Sequence, residues 1–157
     1  MIVRGSEMMA IVLAALERGQ RVRLTANGCS MTPFIRSGDI VELQPAPAGP
    51  QIADIVLARS AEGYYVIHRI SHVQGDNVWL RGDAQEQRSG PFPRQAVLGK
   101  AVAAGREGKM RFLDRGLWRL AGRIWLAIHP LGTQTWGLVG LARRGCGWLL
   151  RRMSRAA

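Results

Sequence analysis

The chain has 157 residues, 47% of them hydrophobic and 21% charged, enough to bury a core in one modest domain. Its formal net charge is +11 and unevenly spread: residues 1 to 107 hold 12 Lys and Arg against 10 Asp and Glu, and residues 108 to 157 hold 10 against 1. The two cysteines, Cys29 and Cys146, exclude a disulfide framework and lack the short spacing of a metal site, and neither a metal nor a cofactor is expected.

Ser6 is placed to cap a helix through Met8–Leu16 that ends near Gly19. Its apolar run is nine residues long, well short of the roughly 20 that a bilayer span needs. Glu7 and Glu17 flank the run, so it reads as a docking helix rather than a signal peptide. Arg21–Thr25 alternates polar and apolar residues, as a half-buried strand does. The next stretch runs Asn27-Gly28-Cys29-Ser30-Met31-Thr32-Pro33-Phe34-Ile35-Arg36-Ser37-Gly38-Asp39-Ile40-Val41. It sets a serine among small residues ahead of a proline, which puts the hydroxyl on a turn, and Gly38-Asp39 then opens a strand at Ile40–Leu43. Gln44–Pro50 is too rich in proline for a ladder and is expected to be a loop. Asp54–Arg59 is a strand, Tyr64–Val73 and Asn77–Arg81 form a hairpin over Gln74-Gly75-Asp76, and Val97–Val102 closes the sheet. No internal repeat is visible, and the absence of strand–helix alternation favours a small coiled, mixed or antiparallel sheet.

A serine hydroxyl is almost wholly protonated at neutral pH, so nucleophilic chemistry at Ser30 requires a base within hydrogen-bond reach. His68 and His72 are four residues apart, which in a regular strand puts them on one face about 13 Å apart, and only one of them can serve the serine. His68 lies between Ile67 and Ile70 in a partly buried strand, whereas His72 near the hairpin end is expected to be solvated and His129 to sit at a helix end. Cys29 beside Ser30 reads as a small core residue rather than a rival nucleophile.

The pattern Gly-x-Ser-Met-x-Pro-x-Ile-x-x-Gly-Asp-x-Val at Gly28–Val41, followed in order by His68-Arg69-Ile70 and Gly82-Asp83, resembles the signal peptidase clan of serine proteases, over roughly residues 20 to 104. That clan includes signal peptidase I and self-cleaving repressors with a lysine base, together with endoplasmic-reticulum and sporulation-type signal peptidases that carry histidine in the base position. This chain is similar to the histidine branch. The resemblance implies a small coiled β-fold, Ser30 as nucleophile, His68 as general base, and Asp83 as the acid that orients it. It departs from the pattern in three ways: Ser89 stands where relatives have a second acid, Gly28 stands where lysine-type relatives have a helping hydroxyl, and the N-terminal helix is too short for the usual membrane anchor. The oxyanion hole would then consist of main-chain N–H groups around Gly28, Cys29 and Ser30. Substrate would bind as an added strand beside the serine turn and the Ile67–His68 strand. Asp83 also suits a plain turn, and Asp39 belongs to the turn that opens its strand.

Leu113–Ile128 reads as a helix with Arg115, Arg119 and Arg123 on one stripe and Leu117, Trp118, Leu120, Ile124, Trp125 and Ile128 over much of the rest. Trp136–Leu141 and Trp148–Leu150 are apolar but each runs into an arginine pair, and none of these segments reaches spanning length. The expectation is a basic amphipathic helical tail lying in a membrane interface; the alternative is a helical hairpin packed on the sheet. No nucleic-acid reader motif is present and nucleic acid is not an expected partner. The sequence therefore predicts a mainly β protein: an N-terminal helix over 1–19, a catalytic β domain over 20–107 and a helical tail over 108–157. Its expected function is serine endopeptidase activity on leader or signal-type peptides, peripheral on a membrane and cytoplasmic by default. A catalytically silent peptide-binding module of the same fold is the alternative.

Overall fold

A computed structural model describes residues 2–3, 6–106 and 108–128. Its elements in chain order are β1 (Ile2–Val3), α1 (Ser6–Glu17), β2 (Val22–Thr25), β3 (Ile40–Pro45), β4 (Ile55–Arg59), β5 (Tyr65–Gln74), β6 (Asn77–Arg81), β7 (Ser89–Pro93), β8 (Val97–Arg106) and β9 (Lys109–Phe112). A second helix, α2, begins at residue 116 and continues through 128. Among the described residues the nine strands form one antiparallel sheet in the order β2-β3-β8-β4-β5-β6-β7, with β1 paired to β5 and β9 to β8. The expected mainly β fold with a short N-terminal helix is thus present.

Helix α1 buries Met9, Val12 and Leu16, spaced by three and four residues and so on one face. It stops in a paired turn: Gly19 at φ 80° donates to Leu16 O at 2.9 Å, and Gln20 donates to Ala15 O at 3.0 Å. These bonds satisfy the last carbonyls, and glycine takes the left-handed position without a Cβ penalty. The buried face of α1 meets Leu24, Val41, Leu43, Leu57 and Ile67 in one core cluster, while Val56, Val66, Ile70, Leu80 and Phe92 form a second. Strand β4 is consequently buried on both faces, from Ile55 through Ala58, and reads as a continuous apolar run rather than an alternating one.

Three strands were not among those expected. β7 carries Pro91 and Pro93 and pairs only with β6 at the edge of the sheet, where missing donors are tolerated. β1 is two residues long, and β9 continues the β8 ladder through Ala103↔Phe112. The sheet therefore runs past residue 107, where the change in charge had suggested a boundary. By contacts the chain divides into compact units at Met1–Leu126 and Ala127–Ala157. Most of α2 belongs to the first unit, since strand pairing and packing continue where the charge balance changes. Of the tail segments named above, those from His129 onward lie outside the described residues.

Candidate active site

Ser30 opens a tight turn that follows β2, in which Thr32 donates to Cys29 O at 3.1 Å and Ile35 donates to Met31 O at 2.9 Å. Met31 and Ile35 are fully buried and Phe34 nearly so. The apolar residues of the motif thus nail the turn to the core and leave the serine side chain at its rim, half-buried. Asp39 closes the turn: its carboxylate accepts from Arg36 N at 2.9 Å and pairs with Arg106 and Arg111, both at 3.4 Å. This is the turn role expected for it.

His68 comes from the middle of β5, between β4 and β6 in the sheet, where Val56 is its partner in β4. Ser30 Oγ and His68 Nε2 lie 3.1 Å apart, within reach for proton transfer from a nucleophile to its base. The imidazole is only 6% exposed. Burial pushes its pKa down to about 4, because a low-dielectric setting penalises the charged ring. At neutral pH His68 is therefore unprotonated, the state a general base must have.

His72 does not share the face of His68, contrary to the expectation from their spacing. The β5–β6 register runs Ile70↔Leu80 and then His72↔Trp79, a bulge at Ser71 that inverts the alternation beyond it. His72 is exposed and lies against Trp79, ring centroids 5.1 Å apart.

Asp83 is buried in a two-pronged ion pair with Arg69: Arg69 Nε and Nη2 donate to its two carboxylate oxygens, each at 2.7 Å. Arg69 is itself 1% exposed, gives a further bond to Ala53 O at 3.0 Å, and lies with its guanidinium 4.7 Å from the Phe34 ring centroid. The carboxylate thus pairs with the residue that follows His68 in β5. The Gly82–Gln85 turn also grips the serine loop, since Ala84 N donates to Ser30 O at 2.8 Å. Gly82 permits that approach, because a Cβ there would stand 2.6 Å from Ser30 O and 2.5 Å from Gln85 Oε1. The Gly-Asp pair therefore has two separable jobs, close contact and ion pairing.

Gly28, at φ 102°, donates to Ser37 Oγ at 3.4 Å and, like Cys29, is exposed. Cys29 is thus not the core residue its composition suggested. Ile67 is fully buried in the α1-side cluster, so its side chain serves packing and only its main chain faces the strand edge. Among the described residues no cluster of His, Cys, Asp or Glu could hold a metal ion.

Sequence reasoning missed Arg69 as the partner of Asp83. The available signal was a strand arginine flanked by Ile67, His68 and Ile70, since a charge so placed requires a counter-charge. It also missed α2 at the site: Trp125 Nε1 donates to Asp83 O at 2.9 Å, and Trp118 and Trp125 both meet Phe34 edge-on, at 6.2 and 5.9 Å.

A search of curated proteins found no match. The sequence does match the Peptidase S24-like family over residues 5–102, well over half of the chain. That span contains Ser30, His68, Arg69 and Asp83 on a fold of the repressor and signal-peptidase type, and supports a hydrolase of the serine-peptidase type. The chain belongs to the Peptidase S24-like family.

Proposed function

We propose that this protein is a serine endopeptidase of the histidine-base, signal-peptidase-like type, acting on leader or signal-type peptides beside a membrane. The observation that carries the reading is the 3.1 Å contact between Ser30 Oγ and a buried, neutral His68 Nε2. In the reaction Ser30 Oγ attacks the scissile carbonyl while His68 Nε2 accepts its proton. Collapse of the tetrahedral adduct breaks the C–N bond, and the imidazolium returns that proton to the leaving amine. Water, deprotonated by the same ring, then releases the acyl group and restores the serine. Main-chain N–H groups of the Gly28–Ser30 segment are the candidates to receive the oxyanion. Asp83 serves by fixing Arg69 and the Gly82–Gln85 turn, as a positioning residue.

Substrate binding as an added strand is supported by β1: Ile2 and Val3 pair with Val66 and Tyr65, adding a strand to the edge of β5 two residues from His68. That edge therefore accepts an extended segment through main-chain bonds. A membrane surface as partner is supported by α2, whose outer face leaves Leu117 82%, Leu120 54% and Ile124 51% exposed, beside exposed Arg115 and Arg123. Exposed aliphatics bordered by arginine suit an anionic interface. Among the described residues no helix is long and apolar enough to cross a membrane.

Labelling by a fluorophosphonate, compared between the wild type and Ser30→Ala, tests the chemistry. A wild type that fails to label points instead to a peptide-binding module without the reaction, and an alanine variant that labels equally removes Ser30 as the nucleophile. Digestion of a panel of membrane-bound leader peptides then tests the substrate class.

A further inference from the structure

Helix α2 lies beyond the family match, which ends at residue 102, yet it reaches the groups that hold the catalytic pair. Trp125 donates its indole N–H to the main-chain carbonyl of Asp83 at 2.9 Å. Gly122 is buried directly against the Arg69 guanidinium, so close that a Cβ there would collide with Nη1. The same helix presents Trp118 and Trp125 to Phe34, which carries the Arg69 guanidinium on its ring and belongs to the serine turn. Arg81, the β6 register partner of Arg69, is 5% exposed and donates to Leu126 O at 3.5 Å.

We propose that Trp125 and Gly122 are positioning residues for the Ser30–His68 pair, acting through Asp83 and Arg69. The inference rests on the reading of Ser30 and His68 as nucleophile and base. The route is short. Asp83 precedes Ala84, whose N–H holds Ser30 O, and Arg69 follows His68 in β5. With the Asp83 carbonyl fixed by the indole from one side and its carboxylate by Arg69 from the other, the 82–85 turn has little freedom to withdraw from the serine loop. Gly122 is the residue that lets the helix come close enough for this. A hydrogen bond aimed at a loop main chain orders it without taking part in the chemistry.

The test uses the full chain. Trp125→Phe keeps a ring against Phe34 and removes only the N–H donor. Gly122→Ala favours helix over glycine while pressing on Arg69, so a loss there cannot be charged to helix melting. Trp118→Phe, which touches Phe34 but not Asp83, is the control. The expected result is that Trp125→Phe lowers kcat for a soluble peptide about five- to tenfold at unchanged KM, the scale of one lost hydrogen bond, and slows fluorophosphonate labelling to the same degree. Gly122→Ala has at least that effect, and Trp118→Phe leaves both rates near wild type. The titration midpoint of His68, followed by NMR, rises in the first two variants as water or the loosened Asp83 carboxylate reaches the ring.

Wild-type rates and an unmoved His68 midpoint in both Trp125→Phe and Gly122→Ala overturn the inference and leave the protease reading intact. A wild type that never labels removes the protease reading. The His68 midpoint then still decides the coupling, a rise supporting it and a constant value ending it. If Trp125→Phe fails to fold, Gly122→Ala supplies the same comparison.

Discussion

Ser30 Oγ meets His68 Nε2 at 3.1 Å although 38 residues separate them, and the meeting is made by two unlike elements. The serine sits on a turn that Met31 and Ile35 anchor, and the histidine on an interior strand whose neighbours fix its height and face. A hydroxyl at the rim can be changed without opening the core. Ser30→Ala should therefore keep the wild-type melting temperature and lose cleavage by at least about a thousandfold, because the pair acts as a unit. His68→Ala should be as damaging to activity, and His72→Ala mild, with peptide cleavage and calorimetry as the measurements. A severe loss at His72 would move the base.

The depressed titration of His68 has consequences with definite signs. An ordinary imidazole titrates near 6.5 and this one at about 4, so cleavage should be flat from neutrality down to about pH 5 and fall through pH 4. For stability, the unfolded chain binds a proton below about 6.5 that the folded protein refuses until about 4. Stability is thus lost progressively as pH drops through that window, by about 3 kcal/mol in full, and nothing further is contributed above it. His68→Gln should flatten this part of the stability curve, as read by urea unfolding at several pH values.

Breaking the Arg69–Asp83 pair strands a buried charge. Arg69→Ala should cost about 3–5 kcal/mol by denaturant unfolding. Arg69→Lys should recover little, because a point charge cannot reproduce the two 2.7 Å bonds made by the guanidinium fork. If Arg69→Lys matches wild type in both stability and cleavage, the paired geometry is not what the position requires.

Gly82→Ala tests the contact function of its turn separately from the ion pair. The added methyl would stand 2.6 Å from Ser30 O, so the serine loop must shift by several tenths of an ångström. Cleavage should fall about a hundredfold, on the scale of a misplaced catalytic group, with the Arg69–Asp83 pair and the far-ultraviolet dichroism unchanged. Normal turnover by this variant would show that the loop tolerates displacement.

At the outer face of α2, Leu120→Glu with Ile124→Glu should weaken flotation with anionic liposomes at least about tenfold, through lost apolar contact and added repulsion. Cleavage of a short soluble peptide should be unaffected, since neither side chain touches the site groups. Equal flotation of wild type and variant would remove this face from any membrane contact.

The approach of Ser30 to His68 was legible because both sit in local patterns. A serine turn with buried residues at fixed offsets and a histidine inside an apolar strand can be read from neighbours alone. What escaped detection was tertiary. The bulge at Ser71 that turns His72 away is a matter of register with β6, and no residue in β5 announces it. Pro91 and Pro93 argue against a strand, and only the edge position of β7 admits them. Trp118 and Trp125 counted as part of an amphipathic pattern, yet the helix divides its apolar residues between two destinations: the tryptophans turn toward Phe34 while Leu117, Leu120 and Ile124 stay outside. Periodicity gives the faces of a helix but not what each face meets.

The family match ends at residue 102, whereas strand pairing continues to Phe112 and the indole that holds Asp83 comes from residue 125. A fragment cut at the family boundary would thus cut β8 in half, leaving Ile40, Val41 and Glu42 of β3 without their partners and a buried arginine facing water. Any rate measured on such a fragment would report a damaged site rather than the intact one. For this chain, the shortest piece on which kinetics should be interpreted is the unit that closes at Leu126.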